Sequence, residues 1–410
     1  MMDPERLAAL AEEFGTPLYA YDFDEMEERG RRLRASLPAR VELAYAVKAN
    51  PSIAVLTRLA AAGLGADVAS GGELAAVERA GFPAEAIVFT GPGKRDVELA
   101  AAVRRPLRAI TVESPGELRR LRAAARDASR PVAVMLRAAG EPRPGNVIGS
   151  GGGRFGMRRE DLLDAARFAA ASPELDLVGV HRFDASNVLD ADEIVDHARR
   201  TVALAAEVAD AARTPLALVD LGGGLGIPYA ATEPELDLGR LGPGLAAVME
   251  DLAARHRLED ARLILEPGRW IVGPAGAYVT RVVDVKEGAD GTVVTVDGGV
   301  HHMLRPALIG HAHRIRALGT RPADRPSRRV LVGGPLCTSL DVLGHADLPD
   351  PRPGDLLSVA DAGAYGFTES MPYFLSHPSP PEIGLTGDRA FVARRRVEPD
   401  ELQAWQSSGA

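Results

Sequence analysis

The sequence is poor in cysteine, in long apolar runs and in net positive charge, and each shortage excludes a class of protein. Cys337 is the only cysteine, so no disulfide can form within the chain, and a reducing compartment is indicated. No apolar run is long enough to span a membrane. Residues 1–6 lack the basic and then apolar order of a secretion signal. We therefore expect a cytoplasmic protein without a membrane partner.

Acidic residues outnumber basic ones, and the formal net charge is -9 at pH 7. Such a surface repels nucleic acid, so no nucleic-acid partner is expected. The length of 410 residues exceeds that of an ordinary single domain and predicts two domains. Hydrophobic residues make up 46% of the chain, which is enough for a large core.

Short apolar runs alternate with amphipathic, helix-forming stretches between residues 28 and 272. The helical stretches include 53–62, 73–80, 115–128 and 191–212. This alternation is typical of a parallel (β/α)8 TIM barrel, and an open doubly wound α/β sheet is the alternative. The predicted barrel strands are 41–47, 66–68, 87–90, 109–112, 132–136, 177–181, 216–220 and 263–266.

After residue 272 the alternation of strands and helices ends, and the predicted strands are separated by Gly, Pro and Asp turns with little helix between them. It predicts a C-terminal, mostly antiparallel β-domain, which a strand within residues 14–21 can join. We expect the barrel to span 28–272 and the β-domain to comprise 1–27 plus 273–410. A glycine-rich segment at 145–153 is expected to be a mobile loop. The predicted strands of the β-domain are 277–286, 292–297, 329–332, 356–359 and 390–395.

Lys48 lies near the end of an apolar strand that contains Tyr45 and Val47. Burial among such neighbours would disfavour an ammonium ion and leave a neutral, nucleophilic amine. A neutral amine condenses with a carbonyl group to form a Schiff base. The structural alternative is a strand-end lysine that reaches solvent.

Two further strand ends carry candidate binding groups. Three glycines at 222–224 can bring backbone N–H groups close to an anion, and a plain tight turn is the alternative. Glu266 and Arg269 can form a local ion pair, or they can serve a protonated ring nitrogen and a phosphate of one ligand. A reactive lysine, a phosphate site and a carboxylate at a ring nitrogen together indicate pyridoxal 5'-phosphate, an electron sink for a carbanion at Cα of an amino acid.

Three motifs occur in an order known from one enzyme family: YAVKAN at 45–50, DVASGGEL at 67–74 and GAYG at 363–366. The chain resembles the fold-type III pyridoxal-phosphate decarboxylases, the group of diaminopimelate and ornithine decarboxylases, over nearly its whole length. The resemblance implies an N-terminal barrel, a C-terminal β-domain and pyridoxal phosphate as cofactor. It also implies a homodimer whose active sites are shared between subunits.

The resemblance assigns a role to individual residues. Lys48 matches the Schiff-base lysine, and Cys337 matches a catalytic cysteine that reaches in from the neighbouring subunit to help protonate Cα. Glu266 matches the partner of the ring nitrogen, and Arg137 matches an arginine beside the cofactor's 3-hydroxyl group. The other implied cofactor contacts are two acidic residues and four phosphate-binding positions, namely Asp67 and Glu73, then Ser186, Gly224, Arg269 and Tyr365.

The segment HRFDASN at 181–187 departs from the family pattern His-x-His-x-Gly-Ser. Phe183 takes the place of a histidine that stacks on the cofactor ring, and an aromatic ring can still stack there. Ala185 replaces a glycine. The conformation of this loop and the role of Ser186 are therefore open.

Other departures concern the far end of the substrate. Thr338 stands where diaminopimelate decarboxylases have a glutamate that binds an ammonium group. Arg305 is retained as a substrate-binding candidate, but Ile309 takes the place of its companion tyrosine. These changes argue against diaminopimelate, because unpaired charges in a closed site are costly.

The motifs resemble a secondary-metabolism branch of antibiotic and siderophore decarboxylases, some of which act on amino acids tethered to carrier proteins. We predict decarboxylation of the α-carboxylate of an amino acid or of a carrier-bound intermediate, with a carrier protein as a potential partner. The alternatives are a diaminopimelate decarboxylase, an amino-acid racemase and a non-catalytic regulatory homologue. Racemases of this type favour arginine where this chain has Glu266. Retention of Lys48, Arg269, Tyr365 and Cys337 argues against the regulatory homologue.

Four histidines, His301, His302, His311 and His313, form no familiar ligand pattern, so no metal site is predicted. We expect them to face solvent or to line the site. His197 lies within a helical stretch, and a structural role is expected for it.

Overall fold

The structure is a computed structural model that describes residues 2–126, 128, 130–140, 154–289, 291–310, 313–319 and 326–407. The glycine-rich segment at 145–153 lies outside these residues. Asp3 accepts a hydrogen bond from the backbone N–H of Glu5, which fixes where the first helix begins. The N-terminal elements are helix α1 (Pro4–Phe14), strand β1 (Leu18–Asp22) and helix α2 (Phe23–Ser36).

Eight parallel strands close into a barrel, which confirms the predicted barrel and excludes the open sheet. Each strand pairs with the next in the chain, and the last pairs with the first. Apolar side chains such as Ala44, Met135 and Ile264 pack together as a core cluster. The strands are β2 (Val41–Ala46), β3 (Gly65–Val68), β4 (Ile87–Phe89), β5 (Ala109–Val112), β6 (Val132–Ala138), β7 (Leu175–Arg182), β8 (Leu218–Asp220) and β9 (Arg262–Leu265).

Helices connect successive barrel strands, and polar caps fix where several of them begin. The side chains of Ser70, Ser114 and Asp190 each accept a hydrogen bond from a backbone N–H group in the first helical turn. Ser70 and Ser114 follow β3 and β5 after one intervening residue, so these two strands pass almost directly into their helices. The helices are α3 (Ile53–Ala61), α4 (Gly71–Ala80), α5 (Asp96–Ala102), α6 (Pro115–Ala125), α7 (Arg159–Ala170), α8 (Ala191–Ala212), α9 (Leu238–Ala253) and α10 (Arg269–Val272).

The remaining elements form a mixed, mostly antiparallel sheet, as predicted. Along the sheet, β1 pairs antiparallel with β10 (Gly276–Gly288) and parallel with β16 (Glu382–Thr386), so the N-terminal strand does join it. Strands β12 (Ile315–Ala317), β14 (Val342–Pro349) and β16 had escaped prediction, because they are short or carry glycine and charged residues. The elements are β10 (Gly276–Gly288), β11 (Gly291–Val296), α11 (Arg305–Ile309), β12 (Ile315–Ala317), β13 (Ser327–Gly333), β14 (Val342–Pro349), β15 (Leu356–Val359), β16 (Glu382–Thr386), β17 (Arg389–Arg394) and α12 (Pro399–Gln403).

By its internal packing the chain divides into two compact units. The barrel unit comprises Arg29–Ile227 and Pro234–Trp270. The sheet unit comprises Met1–Glu28, Pro228–Glu233 and Ile271–Ala410. None of the helices in the described residues combines the length and the apolarity that crossing a membrane requires.

Candidate active site

Lys48 lies in a short 3-10 turn, Val47–Ala49, that follows β2. The register of the barrel pairs Ala46 with Asp67 on the neighbouring strand, so the lysine and the carboxylate meet at one rim. Lys48 Nζ lies 2.6 Å from Asp67 Oδ2. Thr90 Oγ1 donates to the other oxygen of Asp67, whose side chain is fully buried. The carboxylate is thereby fixed, and it holds the amine in place.

The expected burial of Lys48 is wrong, because its side chain is 43% exposed. The turn carries the residue beyond the end of β2, so its side chain lies at the rim of the barrel and not in the apolar core. The amine is accessible to a carbonyl compound, and the buried Asp67 carboxylate holds it at the rim.

Glu266 follows β9 and is 3% exposed. Within the described residues, its Oε1 has no hydrogen-bond partner, and neither ring nitrogen of the neighbouring His181 has one. Asp220 completes the group: its Oδ1 accepts from the backbone N–H of Gly222 at 2.9 Å, and its Oδ2 is also unsatisfied by any described group. Donor atoms of these three side chains lie within 4.8 Å of one another, so the cluster is suited to take up a positive charge.

The protonation of this cluster follows from its burial. Burial raises the pKa of Glu266 well above its usual value, and the nearby Asp220 and Asp67 carboxylates raise it further. Burial likewise raises the pKa of Asp220. Burial lowers the pKa of His181, and the Arg137 and Lys48 charges lower it further, so its ring is neutral. The 3.9 Å approach of His181 Nε2 to Glu266 Oε1 is therefore no salt bridge.

These features fit the ring nitrogen of pyridoxal phosphate. A protonated pyridine would donate a hydrogen bond to the unsatisfied Glu266 oxygen and would bring the positive charge that two buried carboxyl groups lack. The neutral His181 beside them offers no competing charge. The unsatisfied carboxyl oxygens of Glu266 and Asp220 are thus acceptors suited to a pyridinium N–H group.

The glycine loop after β8 has no room for side chains. A Cβ atom at Gly223 would lie 2.6 Å from the carbonyl oxygen of Glu266, and one at Gly224 would lie 2.5 Å from that of Ala185. Gly224 also has a positive φ of 102°, which glycine adopts readily. Arg269 Nη2 approaches Ser186 Oγ at 3.5 Å. The structure thus brings together three of the four phosphate-binding candidates.

Phe183 lies beside this loop. A Cβ atom at Gly222 would be 3.0 Å from Phe183 Cδ2. The segment that carries Phe183 is joined to the glycine loop, since Val188 N–H donates to the Gly224 carbonyl at 2.8 Å. Asn187 Oδ1 accepts from the N–H of Ile227 at 3.0 Å. The loop is therefore ordered by backbone pairing despite the loss of the family's histidine and glycine.

Arg137 and Glu73 also belong to the barrel unit. Arg137 Nη1 donates to Glu113 Oε1 at 2.6 Å, and its guanidinium lies 5.0 Å from the ring centroid of Phe155. Glu73 Oε2 accepts from the backbone N–H of Ala69 at 2.7 Å. Burial raises the pKa of Glu73, and that hydrogen bond counteracts the rise. Both side chains are fixed by protein partners.

The other predicted site residues belong to the sheet unit. Arg305 is 3% exposed, donates to Glu369 at 2.8 Å, and lies 4.5 Å over the ring of Tyr365. Cys337 is exposed, and Thr338 follows it in the connection between β13 and β14.

Four histidines, His301, His302, His311 and His313, were expected to face solvent or to line the site, and exposure to solvent is wrong for the three that the structure describes. His301, His302 and His313 are all buried, with the rings of His301 and His302 3.7 Å apart. His311 lies outside the described residues.

Several residues of the site were missed in the sequence. Thr90, His181 and Asp220 received no role, although Asp220 directly precedes the three glycines. His197 was expected to be structural, and its ring contacts the loops that carry Phe183 and the glycines, which the sequence did not indicate. The positions of Thr90, His181 and Asp220 at the carboxyl ends of barrel strands are the signal that could have found them.

Comparison with known proteins places these features in a family. Residues 23–273 match the family model described as "Pyridoxal-dependent decarboxylase, pyridoxal binding domain". L-glutamyl-[BtrI acyl-carrier protein] decarboxylase of Niallia circulans is 33% identical over 99% of this chain and 97% of its own. Diaminopimelate decarboxylase of Methanothermobacter thermautotrophicus is 34% identical over 97% of this chain and 93% of its own.

The fold agrees with that of a solved relative. The crystal structure of diaminopimelate decarboxylase from Helicobacter pylori complexed with L-lysine has a TM-score of 0.89 at 29% identity, over 98% of this chain and 100% of that chain. The family match covers the whole barrel, and the curated relatives cover almost the entire chain. The chain therefore belongs to the pyridoxal-dependent decarboxylases, and it is an enzyme that uses pyridoxal phosphate to decarboxylate an amino acid.

Proposed function

We propose that the enzyme removes the α-carboxylate from a glutamyl-type amino acid whose far end is bound to a carrier protein through an uncharged thioester. The observation that carries the proposal is the ion pair between Arg305 and Glu369. Overall similarity does not decide the substrate, because the carrier-protein decarboxylase and the diaminopimelate decarboxylase are 33% and 34% identical to this chain. The substrate must instead be inferred from the charges at the candidate substrate-binding residues, Arg305 and Thr338.

Arg305 is the residue that would bind a free carboxylate at the far end of the substrate. Its guanidinium is buried and already paired with the Glu369 carboxylate at 2.8 Å. A second carboxylate placed there would meet the negative charge of Glu369 in a poorly hydrated site, which is unfavourable. Thr338 supplies no charge for a far ammonium group. An uncharged thioester satisfies both conditions.

Within the barrel unit, we propose the following roles. Lys48 supplies the amine that joins the cofactor's aldehyde, and Asp67 holds that amine in position. Glu266 keeps the ring nitrogen protonated, and Phe183 stacks on the ring. When bound, pyridoxal phosphate takes up the electron pair that remains at Cα as carbon dioxide leaves. The other proposed cofactor contacts are Arg137, Ser186, Gly224 and Arg269.

The sheet unit supplies the remaining proposed groups. Tyr365 contributes to phosphate binding, and Cys337, from the neighbouring subunit of a homodimer, returns a proton to Cα. The exposed position of Cys337 supports this role, because its thiol is accessible to another chain. A cytoplasmic location fits a chain with a single cysteine.

Carbon dioxide release from three substrates tests the proposal. The holoenzyme is incubated with glutamate joined through its side-chain carboxyl group to phosphopantetheine on a carrier protein, with free glutamate, and with diaminopimelate. We expect a kcat/KM for the thioester at least about a hundredfold above that for either free amino acid. Efficient turnover of diaminopimelate would instead make the enzyme a diaminopimelate decarboxylase.

Glu369→Gln should relax this selectivity. The substitution removes the charge that balances Arg305 and leaves a buried guanidinium able to attract a free carboxylate. We expect kcat/KM for free glutamate to rise about tenfold, and that for the thioester to change by less than about threefold. The matched control is Glu287→Gln, which breaks the exposed pair with Arg328 in the same unit. Unchanged activity toward free glutamate in Glu369→Gln would show that Arg305 does not face the substrate.

A further inference from the structure

The Asp184 carboxylate lies at the centre of a charged cluster that the cofactor contacts leave unexplained. Its side chain is 1% exposed. Oδ1 accepts from Arg182 Nε at 2.9 Å, and Oδ2 lies 3.0 Å from His197 Nδ1 and 3.4 Å from Arg200 Nη2. Burial raises the pKa of Asp184, but hydrogen bonds from His197 and Arg182 outweigh it and hold the pKa below its usual value. The carboxylate is therefore ionised.

His197, on α8, has oxygen atoms within hydrogen-bond distance of both ring nitrogens. Nδ1 faces the Asp184 carboxylate, and Nε2 faces the carbonyl oxygens of Leu221 at 2.9 Å and Arg182 at 3.2 Å. Carbonyl oxygens and a carboxylate only accept hydrogen bonds, so a ring N–H at either nitrogen finds an acceptor. The ring is thus held between the Asp184 carboxylate on one side and two backbone carbonyls on the other.

This one ring joins the two loops of the cofactor site. The Arg182 carbonyl directly precedes Phe183, and the Leu221 carbonyl directly precedes Gly222. Phe183 Cδ2 lies 3.0 Å from where a Cβ atom of Gly222 would be, so the aromatic ring and the glycine loop are close together. A shift of either carbonyl would change the distance between the Phe183 ring and the glycine loop.

We propose that His197 is a positioning residue, which acts through Phe183 to hold the aromatic ring and the glycine loop at the separation that pyridoxal phosphate requires. The contact with Asp184 makes the anchor rigid, because each of the two side chains has several polar contacts. Asp184 itself lies in the segment where this chain has lost the family's histidine and glycine. The inference rests on the stacking role proposed above for Phe183.

Cofactor binding to the apoprotein tests this role without relying on activity. The dissociation constant of pyridoxal phosphate is measured by fluorescence titration for His197→Phe, which removes both donors, and for His197→Gln, which retains an amide donor. We expect the constant to rise about tenfold in His197→Phe and by a smaller factor in His197→Gln. Unchanged affinity in both folded variants would overturn the proposal.

Arg200→Gln is the matched control, because Arg200 approaches the same carboxylate from the same helix, yet within the described residues it donates to neither the Arg182 nor the Leu221 carbonyl. We expect a change in the dissociation constant of less than about twofold. A loss equal to that in His197→Phe would show that only the charge balance of Asp184 matters, and positioning by His197 would be overturned.

A double-mutant cycle separates positioning from general support of the fold. In a Phe183→Leu background, the His197→Phe substitution should weaken the binding of pyridoxal phosphate by less than about twofold, since the aromatic ring that His197 positions is absent. Fully additive losses would overturn the positioning role and leave the stacking role intact. Unchanged affinity in Phe183→Leu alone would overturn the stacking role and this proposal with it. If His197→Phe does not fold, His197→Gln carries the same cycle.

Discussion

Replacing Lys48 by alanine is expected to lower kcat by about four orders of magnitude. The substitution removes the amine proposed to join the cofactor, and it takes away the Lys48 amine that lies 2.6 Å from Asp67. Carbon dioxide release under saturating substrate measures the loss. The cofactor's visible absorption band should disappear from the purified protein as well. A Lys48→Ala enzyme that keeps more than about a tenth of its activity would contradict the assigned role.

The lysine content of the chain provides sharp controls. Only three lysines are present, Lys48, Lys94 and Lys286. Lys286→Ala is the matched control, because Lys286 is exposed on β10 and should leave kcat unchanged. Lys94 is unsuitable, since it is buried and bonded to Glu117 at 3.0 Å. Borohydride reduction of the holoenzyme followed by peptide mass analysis should place the cofactor on Lys48, and a label on another lysine would refute the assignment.

Glu266→Gln is expected to lower kcat by about two to three orders of magnitude. Glutamine retains the shape but cannot supply the negative charge that favours a protonated ring nitrogen. Since the phosphate contacts are untouched, the affinity for pyridoxal phosphate should fall much less than kcat. The matched control in the same unit is Glu259→Gln at the exposed pair with His256. Full activity in Glu266→Gln would show that the ring nitrogen has another partner.

The same substitution should stabilise the apoprotein in a pH-dependent manner. Burial raises the pKa of Glu266, so in the folded state it holds a proton that the unfolded chain releases above about pH 4.3. The free energy of unfolding of the natural protein therefore falls as pH rises above that value, and Glu266→Gln removes this loss. We expect the Tm advantage of the variant to be larger at about pH 8 than at about pH 5, measured by thermal unfolding. An advantage that shrinks with pH would contradict the raised pKa.

Much of the barrel followed from the sequence because buried parallel strands are continuous apolar runs. The strand at Ala109–Val112 and the helix at Ala191–Ala212 were predicted with the observed bounds. Prediction was poorer in the sheet unit, where β14 and β16 were missed. One face of these strands carries polar residues or glycine, so the apolar signal is weak there.

The sequence by itself determined the type of chemistry. Lys48, the three glycines, Glu266 and Arg269 each follow a barrel strand, and strand ends in a barrel converge on one rim whatever the remaining packing. That convergence, together with the residue types, was enough to indicate a phosphate-bearing carbonyl cofactor and an amino-acid substrate.

Only the tertiary structure decided which groups pair and therefore which charges are available. Asp67 meets Lys48 across 19 residues of sequence, and Glu369 neutralises Arg305 across 64. Nor does any spacing pattern indicate that His197 would join two loops. Such contacts depend on strand register and on side-chain directions after packing, which residue order does not encode. The substrate charge proposed above rests on such contacts.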